Sequence, residues 1–109
     1  MIEIRQYTTP AGKPVFDSWL TSLKDKRAQA KVAARIDRLV AGNFGDCKPV
    51  GHGISELRID HGPGYRVYFA MVNKVCVLLL TGGDKRRQAA DIAKASQYLD
   101  DFKQRNTTP

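Results

Sequence analysis

The sequence predicts a small α+β domain: an N-terminal strand, a helical hairpin, an antiparallel three-stranded meander and a C-terminal helix, with the helices packed on one twisted sheet. Three observations predict it. Apolar and polar residues alternate through Ile2–Tyr7 and again through Glu56–Phe69. Apolar residues recur at helical spacing from Val15 to Ala41 and once more after Asp84. Between those stretches, Val75-Cys76-Val77-Leu78-Leu79-Leu80 is apolar on both faces, so it has to be a central strand covered on each side. A chain of 109 residues accommodates one domain with one modest core, so residues 1–109 form a single unit.

Each element has its own signal. Ile2-Glu3-Ile4-Arg5-Gln6-Tyr7 is an opening strand, ended by Thr8-Thr9-Pro10-Ala11-Gly12. Val15, Phe16, Trp19, Leu20 and Leu23 then share one helix face, with Pro14 suited to the first turn. In so regular a stripe, Trp19 reads as core rather than as a platform for a base. The second helix runs from about Lys26 to Ala41, capped by Asp25 and stopped by Gly42. It turns Ala28, Val32, Ala33, Ile36, Leu39 and Val40 inward and Lys26, Arg27, Lys31, Arg35 and Arg38 outward. A basic helix face of this kind is ordinarily solvated, and equally suits bracing against RNA. Asn43 to Ser55 reads as a long loop, rich in glycine and carrying Lys48. A short turn near Asn73-Lys74 precedes the central strand. Thr81-Gly82-Gly83-Asp84 leads into the last helix, capped by Asp84, with Ala89, Ile92, Ala95, Leu99 and Phe102 as its core face. Disorder is expected only at Gln104 to Pro109.

Charge narrows the partners. Eighteen Lys and Arg against eleven Asp and Glu give a formal net charge of +7, spread over several elements rather than gathered on one amphipathic helix. That distribution suits nucleic acid or a strongly acidic protein better than a membrane surface. No stretch approaches the roughly 18 apolar residues of a membrane span, and Met1-Ile2-Glu3-Ile4-Arg5 has no apolar signal core. A cytoplasmic location and no membrane contact are the expectations. Cys47 and Cys76 are the two cysteines, one in a loop-like stretch and one inside the apolar run, so neither a disulfide nor a reactive thiol is expected. With His52 and His61 they match no zinc spacing, so no metal and no cofactor is expected.

The richest stretch is Glu56-Leu57-Arg58-Ile59-Asp60-His61-Gly62-Pro63-Gly64-Tyr65-Arg66-Val67-Tyr68-Phe69, a β-hairpin carrying two arginines. If Leu57, Ile59, Tyr65, Val67 and Phe69 share one face, Ile59 sits opposite Tyr65, and Arg58 comes directly opposite Arg66. Like charges facing each other on a sheet repel, so something anionic belongs between them. Two readings fit: each arginine finds its own carboxylate, Glu56, Asp60 or one from a helix, or the two guanidinium forks clamp a phosphate. A second basic run, Lys85-Arg86-Arg87, follows Asp84 at a helix start, where the dipole disfavours cations. It suits either an anion site or local pairing with Asp84 and Asp91.

The hairpin motif, together with Leu78-Leu79-Leu80-Thr81-Gly82-Gly83-Asp84-Lys85 and Gln88 through Asp91-Ile92, closely resembles the RelE/ParE toxin superfamily. More narrowly it resembles the HigB-like branch of addiction-module killer proteins, and the likeness spans nearly the whole chain. The resemblance implies the small RelE-like fold and the toxin role in a type II toxin-antitoxin module. It implies a ribosome-dependent endonuclease that cuts messenger RNA under translation. It also implies a cognate antitoxin, usually with a helix-turn-helix, and operator DNA bound only through the toxin-antitoxin complex. By motif position the basic catalytic residues fall on Arg58, Arg66 and Lys85, with Lys48 a weaker match. Arg86 and Arg87 depart from the small polar residues common after the lysine, and His61 stands where a tyrosine is frequent. Two other readings remain open on residues alone: a ParE-like inhibitor of DNA gyrase, and a non-catalytic module binding nucleic acid or antitoxin.

Metal-independent RNA cleavage requires the 2′-hydroxyl to attack the adjacent phosphorus in line, with charge neutralised and a proton moved. Arg58 and Arg66 are assigned to the phosphoryl oxygens and Lys85 to the proton. Neighbouring arginines and a helix start disfavour its charged ammonium. Arg86, Arg87 and Lys48 are candidate RNA contacts. Tyr68 is a candidate stacking residue, since parity sends Tyr65 to the core. His61, at the turn tip, reads as merely solvated unless it reaches substrate.

Overall fold

The computed structural model describes residues 2–106. The elements are β1 (Glu3–Gln6), α1 (Val15–Ser22), α2 (Lys26–Val40), β2 (Cys47–Gly51), β3 (Ile54–Ile59), β4 (Tyr65–Asn73), β5 (Cys76–Asp84) and α3 (Gln88–Arg105), the last preceded by one 3-10 turn at Lys85–Arg87. One five-stranded sheet has the order β1-β5-β4-β3-β2. β1 joins β5 in parallel, and every other neighbouring pair is antiparallel. The α+β architecture is the one the sequence predicts, with β5 inside the sheet and apolar residues on both its faces.

Those faces feed two cores. Leu57, Ile59, Val67, Phe69, Val77 and Leu79 pack against Phe16 of α1 and Val32 and Leu39 of α2. Ile54, Tyr68, Ala70, Leu78 and Leu80 pack against Ala95 and Leu99 of α3. The helical hairpin therefore covers one face and the C-terminal helix the other. α1 straddles the boundary, because Val15 belongs to the second core while Phe16 belongs to the first. It can do so because β1 stops at Gln6 opposite Leu79, so α1 lies where the far half of β5 has no strand on its β1 side.

The stretch read as a long loop holds a strand. β2 pairs with β3 through a two-residue turn, Gly51 facing Ile54, in which His52 and Gly53 both take positive φ, 58° and 77°. That is the geometry favoured in tight hairpins. Pro49 sits in β2 and cannot donate to a ladder, which confines the strand to the sheet edge where it is found. The meander therefore has four strands rather than three, and Lys48 lies on a strand instead of in a loop. Val75, expected inside the central strand, is half exposed in the turn before it. Ala89, expected on the core face of the last helix, is exposed, and Asp91 takes the buried position instead. Gln104 and Arg105 are helical rather than disordered, while Met1 and residues 107–109 lie outside the described residues. The two cysteines are free thiols, and among the described residues no helix is long and apolar enough to cross a membrane.

Helix ends follow the sequence closely. Asp25 caps α2 by accepting from the Arg27 and Ala28 amides, and Asp84 accepts from the Arg86 amide. Asp25 does a second job, because its Oδ2 lies 2.8 Å from His61 Nε2 and fastens the β3–β4 turn to the start of α2. The two successive glycines of β5 permit close approach from both sides. A Cβ at Gly82 would lie 2.3 Å from Trp19 Cε3, and one at Gly83 would lie 1.9 Å from Asp91 Oδ2. Gly82→Ala is therefore expected to force α1 outward and to destabilise the fold by about 1–3 kcal/mol, read as a lowered urea midpoint; an unchanged midpoint would show that α1 is not clamped there. Asp25→Ala, losing a cap and the His61 contact, is expected to cost about 1 kcal/mol in the same assay.

Candidate active site

Alternation along β3 and β4 sends Glu56 and Arg58, and Arg66 and Tyr68, to the face that α3 covers. The register is the one parity predicts: Ile59 faces Tyr65 and Arg58 faces Arg66. Lys48 on β2 faces Glu56 and so joins the same side of the sheet. α3 begins alongside this group and covers the sheet further along, leaving the arginine rows at its N-terminal end.

The anion between the arginines is the Glu56 carboxylate. It has no exposed surface, and its Oε1 lies 3.0 Å from Arg58 Nε and 3.5 Å from Arg66 Nε. Its Oε2 accepts a 2.6 Å hydrogen bond from Gln88 Nε2 in the first turn of α3. One shared carboxylate thus replaces the separate partners that the sequence left open. Burial pushes the Glu56 pKa up, but hydrogen bonds from Arg58 and Gln88, the charge of Arg66 and the nearby Tyr68 hydroxyl outweigh it, and the net shift is downward. A buried glutamate that stays ionised holds two guanidinium groups by their inner Nε atoms. Their side chains remain 31% and 17% exposed.

Lys85 completes the group. Its amide donates to the Gly64 carbonyl at 2.8 Å, and a Cβ placed on Gly64 would lie 3.5 Å from Lys85 Cδ and 3.9 Å from Arg66 Nη1. The stem of Lys85 and the tip of Arg66 therefore flank the same glycine at the end of the hairpin, with the Lys85 side chain exposed. Arg58 and Arg66 flank the Glu56 carboxylate, Lys48 stands opposite Glu56 on the next strand, and Lys85 lies beside the tip of Arg66. This concentration of positive charge has the chemistry to hold a phosphodiester and to stabilise negative charge that grows on it.

Three other candidates fall differently. Tyr68 is fully buried in the α3-side core, so it cannot stack on a base. The parity that kept it off one core placed it in the other, because α3 covers that part of the face. Its hydroxyl is enclosed without a hydrogen-bond partner of good geometry, and burial and the Glu56 charge push its pKa well up, which keeps it a neutral phenol. Arg86 pairs with Asp84, Nη2 to Oδ2 at 3.0 Å, and Arg87 approaches Asp91 at 4.0 Å. Local pairing, one of the two readings of that run, is what these arginines do, and both remain largely exposed. His61 is held by Asp25 rather than free. Gln88 enters the sequence reading only within the motif that carries the resemblance, with no role of its own, since nothing at residue 88 reveals that it reaches a strand thirty-two residues earlier.

The model of the family described as phage derived protein Gp49-like (DUF891) matches residues 18–100, which take in Lys48, Glu56, Arg58, Arg66, Lys85 and Gln88. A Haemophilus influenzae (strain ATCC 51907 / DSM 11121 / KW20 / Rd) relative, described only as an uncharacterized protein, is 61% identical over 80 residues, covering 73% of this chain and 81% of the relative.

The lowered Glu56 pKa fixes the sign of an acid effect. A carboxylate depressed by folding contributes stability above its unfolded pKa of about 4.3, and that contribution fades as pH falls through the lower folded value. Glu56→Gln should abolish this acid-range loss while destabilising the protein at neutral pH by about 3 kcal/mol, since two arginines lose their buried partner. Urea unfolding of both proteins across pH 2–7 measures it; parallel pH profiles would show that Glu56 is not the ionised centre of the group.

Proposed function

The chain belongs to the Gp49-like (DUF891) family, which falls within the group of toxin-antitoxin toxins, and from that premise we propose that it is an endoribonuclease that cuts messenger RNA during translation and is held inactive by a cognate antitoxin. The observation that carries the reading is the facing Arg58–Arg66 pair, held from beneath by one buried carboxylate with Lys85 alongside. A pair built only for structural neutrality would need a second carboxylate. With one, the arginines keep positive charge for a ligand.

In this reaction the 2′-oxygen attacks the neighbouring phosphorus while the P–O5′ bond breaks, leaving a 2′,3′-cyclic phosphate and a 5′-hydroxyl. Arg58 and Arg66 bind the non-bridging oxygens and gain most in the transition state, where those oxygens carry more charge. Glu56 and Gln88 are positioning residues, since they fix the guanidinium planes and touch no substrate. Lys85, on the exposed rim, exchanges a proton with the attacking or departing oxygen. Lys48, Arg86 and Arg87 meet flanking phosphates. Ribosomal presentation of the strand supplies the in-line geometry that a small site with no base-reading surface of its own does not enforce.

Induction of the chain alone, followed by primer extension on a translated message, should give discrete cuts within codons. Arg66→Ala and Arg58→Ala should each lower cleavage by roughly 10²–10³-fold while the proteins stay folded by circular dichroism. Undiminished cutting by both overturns the assignment. Growth arrest with intact message and damaged DNA would instead identify a gyrase inhibitor, and no arrest at all a binding module.

A further inference from the structure

The outer face of α2 takes part in no step of the cleavage reading. The helix carries five cations, Lys26, Arg27, Lys31, Arg35 and Arg38, against one acid, Asp37. Arg27, Lys31 and Arg38 stand four and then seven residues apart, close to whole helical turns, so they form one exposed row about 16 Å long. Val32 and Leu39 bury the other side of α2 against the sheet, so the row looks away from the sheet face that carries Arg58 and Arg66. Among the described residues no carboxylate comes within ion-pair distance of the three, whereas Arg58, Arg66, Arg86, Arg87 and Arg105 each have one. Beside the row lies a groove of about 270 Å³ between α2 and the end of β3, lined by Lys31, Ala34, Arg35, Arg38, Ile59 and Asp60. Arg35 is fixed in its wall, donating to the carbonyls of Phe44 at 3.1 Å and Asp46 at 3.2 Å, and to that of Arg58. Carbonyls are neutral, so this guanidinium keeps its charge while losing its freedom to move. Asp60 is the one acid lining the groove, and it too lies beyond ion-pair distance of these cations.

We propose that the outer face of α2 is a second RNA-binding surface, which grips the phosphate backbone of a duplex. Lys31 and Arg38 hold a phosphate at the groove, Arg35 adds fixed positive charge from the wall, and Arg27 meets another phosphate one turn along. The chemistry of the face selects this ligand. Protein partners are anchored by buried apolar side chains, yet the large apolar residues exposed among the described ones, Met71 and Val75, belong to the far end of β4 and the turn after it. The same lack argues against a membrane surface. Single strands are held by bases stacked on aromatic rings, and α2 carries no aromatic residue. A row of exposed cations on a rigid helix instead meets phosphates and shape, which a duplex presents with its bases paired away. This face adds to the cleaving site a hold on folded RNA apart from the strand that is cut, and its occupancy is measured without cleavage.

Fluorescence anisotropy of the whole protein with a labelled RNA duplex of about 16 base pairs reads the surface. The protein is expected to bind, with log affinity falling linearly as log salt rises. Lys31→Ala combined with Arg38→Ala should weaken duplex binding roughly tenfold and lower the salt slope by about 2. Both side chains are exposed, so the urea midpoint should stay where it was. Lys94→Ala combined with Lys103→Ala removes the same charge from exposed positions on α3 and should leave duplex affinity unchanged. No duplex binding, equal losses in the two double variants, or a loss at Lys31 and Arg38 that is as large for one strand alone as for the duplex overturns the proposal. So does a glutamate-rich peptide that displaces the duplex from wild-type protein but not from the Lys31/Arg38 variant, which assigns the face to an acidic protein. The cleavage reading fails separately: uncut message in cells, with the Lys31/Arg38 dependence of duplex binding intact, removes that reading and keeps this one.

Discussion

The Glu56 carboxylate is buried completely, stays ionised, and is met from three elements: Arg58 on its own strand and Gln88 from α3 donate hydrogen bonds to it, and Arg66 on the neighbouring strand pairs with it by charge. Much of the molecule is arranged by that convergence. Without a shared anion the register that buries Leu57, Ile59, Val67 and Phe69 would set two guanidinium groups against each other. The hydrophobic pattern therefore dictates the charge problem, and Glu56 solves it two residues along the same strand. The solution is incomplete by design of the sequence, since one negative charge meets several positive ones. The surplus leaves the face positively charged.

The hairpin was legible in the sequence because period-two alternation leaves only one register in which both strands bury their apolar residues. From that register the facing arginines followed. The helical caps at Asp25 and Asp84 and the double-sided burial of β5 were legible for similarly local reasons. β2 was not, because Cys47-Lys48-Pro49-Val50-Gly51 has little apolar content and a proline, and an edge strand with half-exposed faces needs neither pattern nor propensity. Tyr68 was misplaced for a different reason. Parity tells which side of a sheet a residue occupies, but only the position of α3 tells whether that side is open or covered.

The site divides along the same line. Arg58 and Arg66 were readable as a pair from the strand register, whereas Lys85 was joined to them only by the family resemblance. The roles of Gln88 and Asp91 were not readable, because they arise from how α3 docks on the sheet: Gln88 reaches Glu56, thirty-two residues earlier, and Asp91 lies on Gly83. Gly82 and Gly83 illustrate it. In sequence they look like a turn before a helix, whereas in the fold they are strand positions stripped of side chains so that Trp19 and Asp91 can lie on the backbone from opposite sides.

The parallel pairing of β1 with β5 carries a consequence for the birth of the molecule. Glu3 faces Cys76 and Gln6 faces Leu79, so a chain leaving its ribosome keeps β1 without its sheet neighbour until residues 76–79 have been made. Glu56 waits longer still, for Gln88. A chain ended before Gln88 thus carries Arg58 and Arg66 on a sheet whose shared carboxylate lacks its α3 partner.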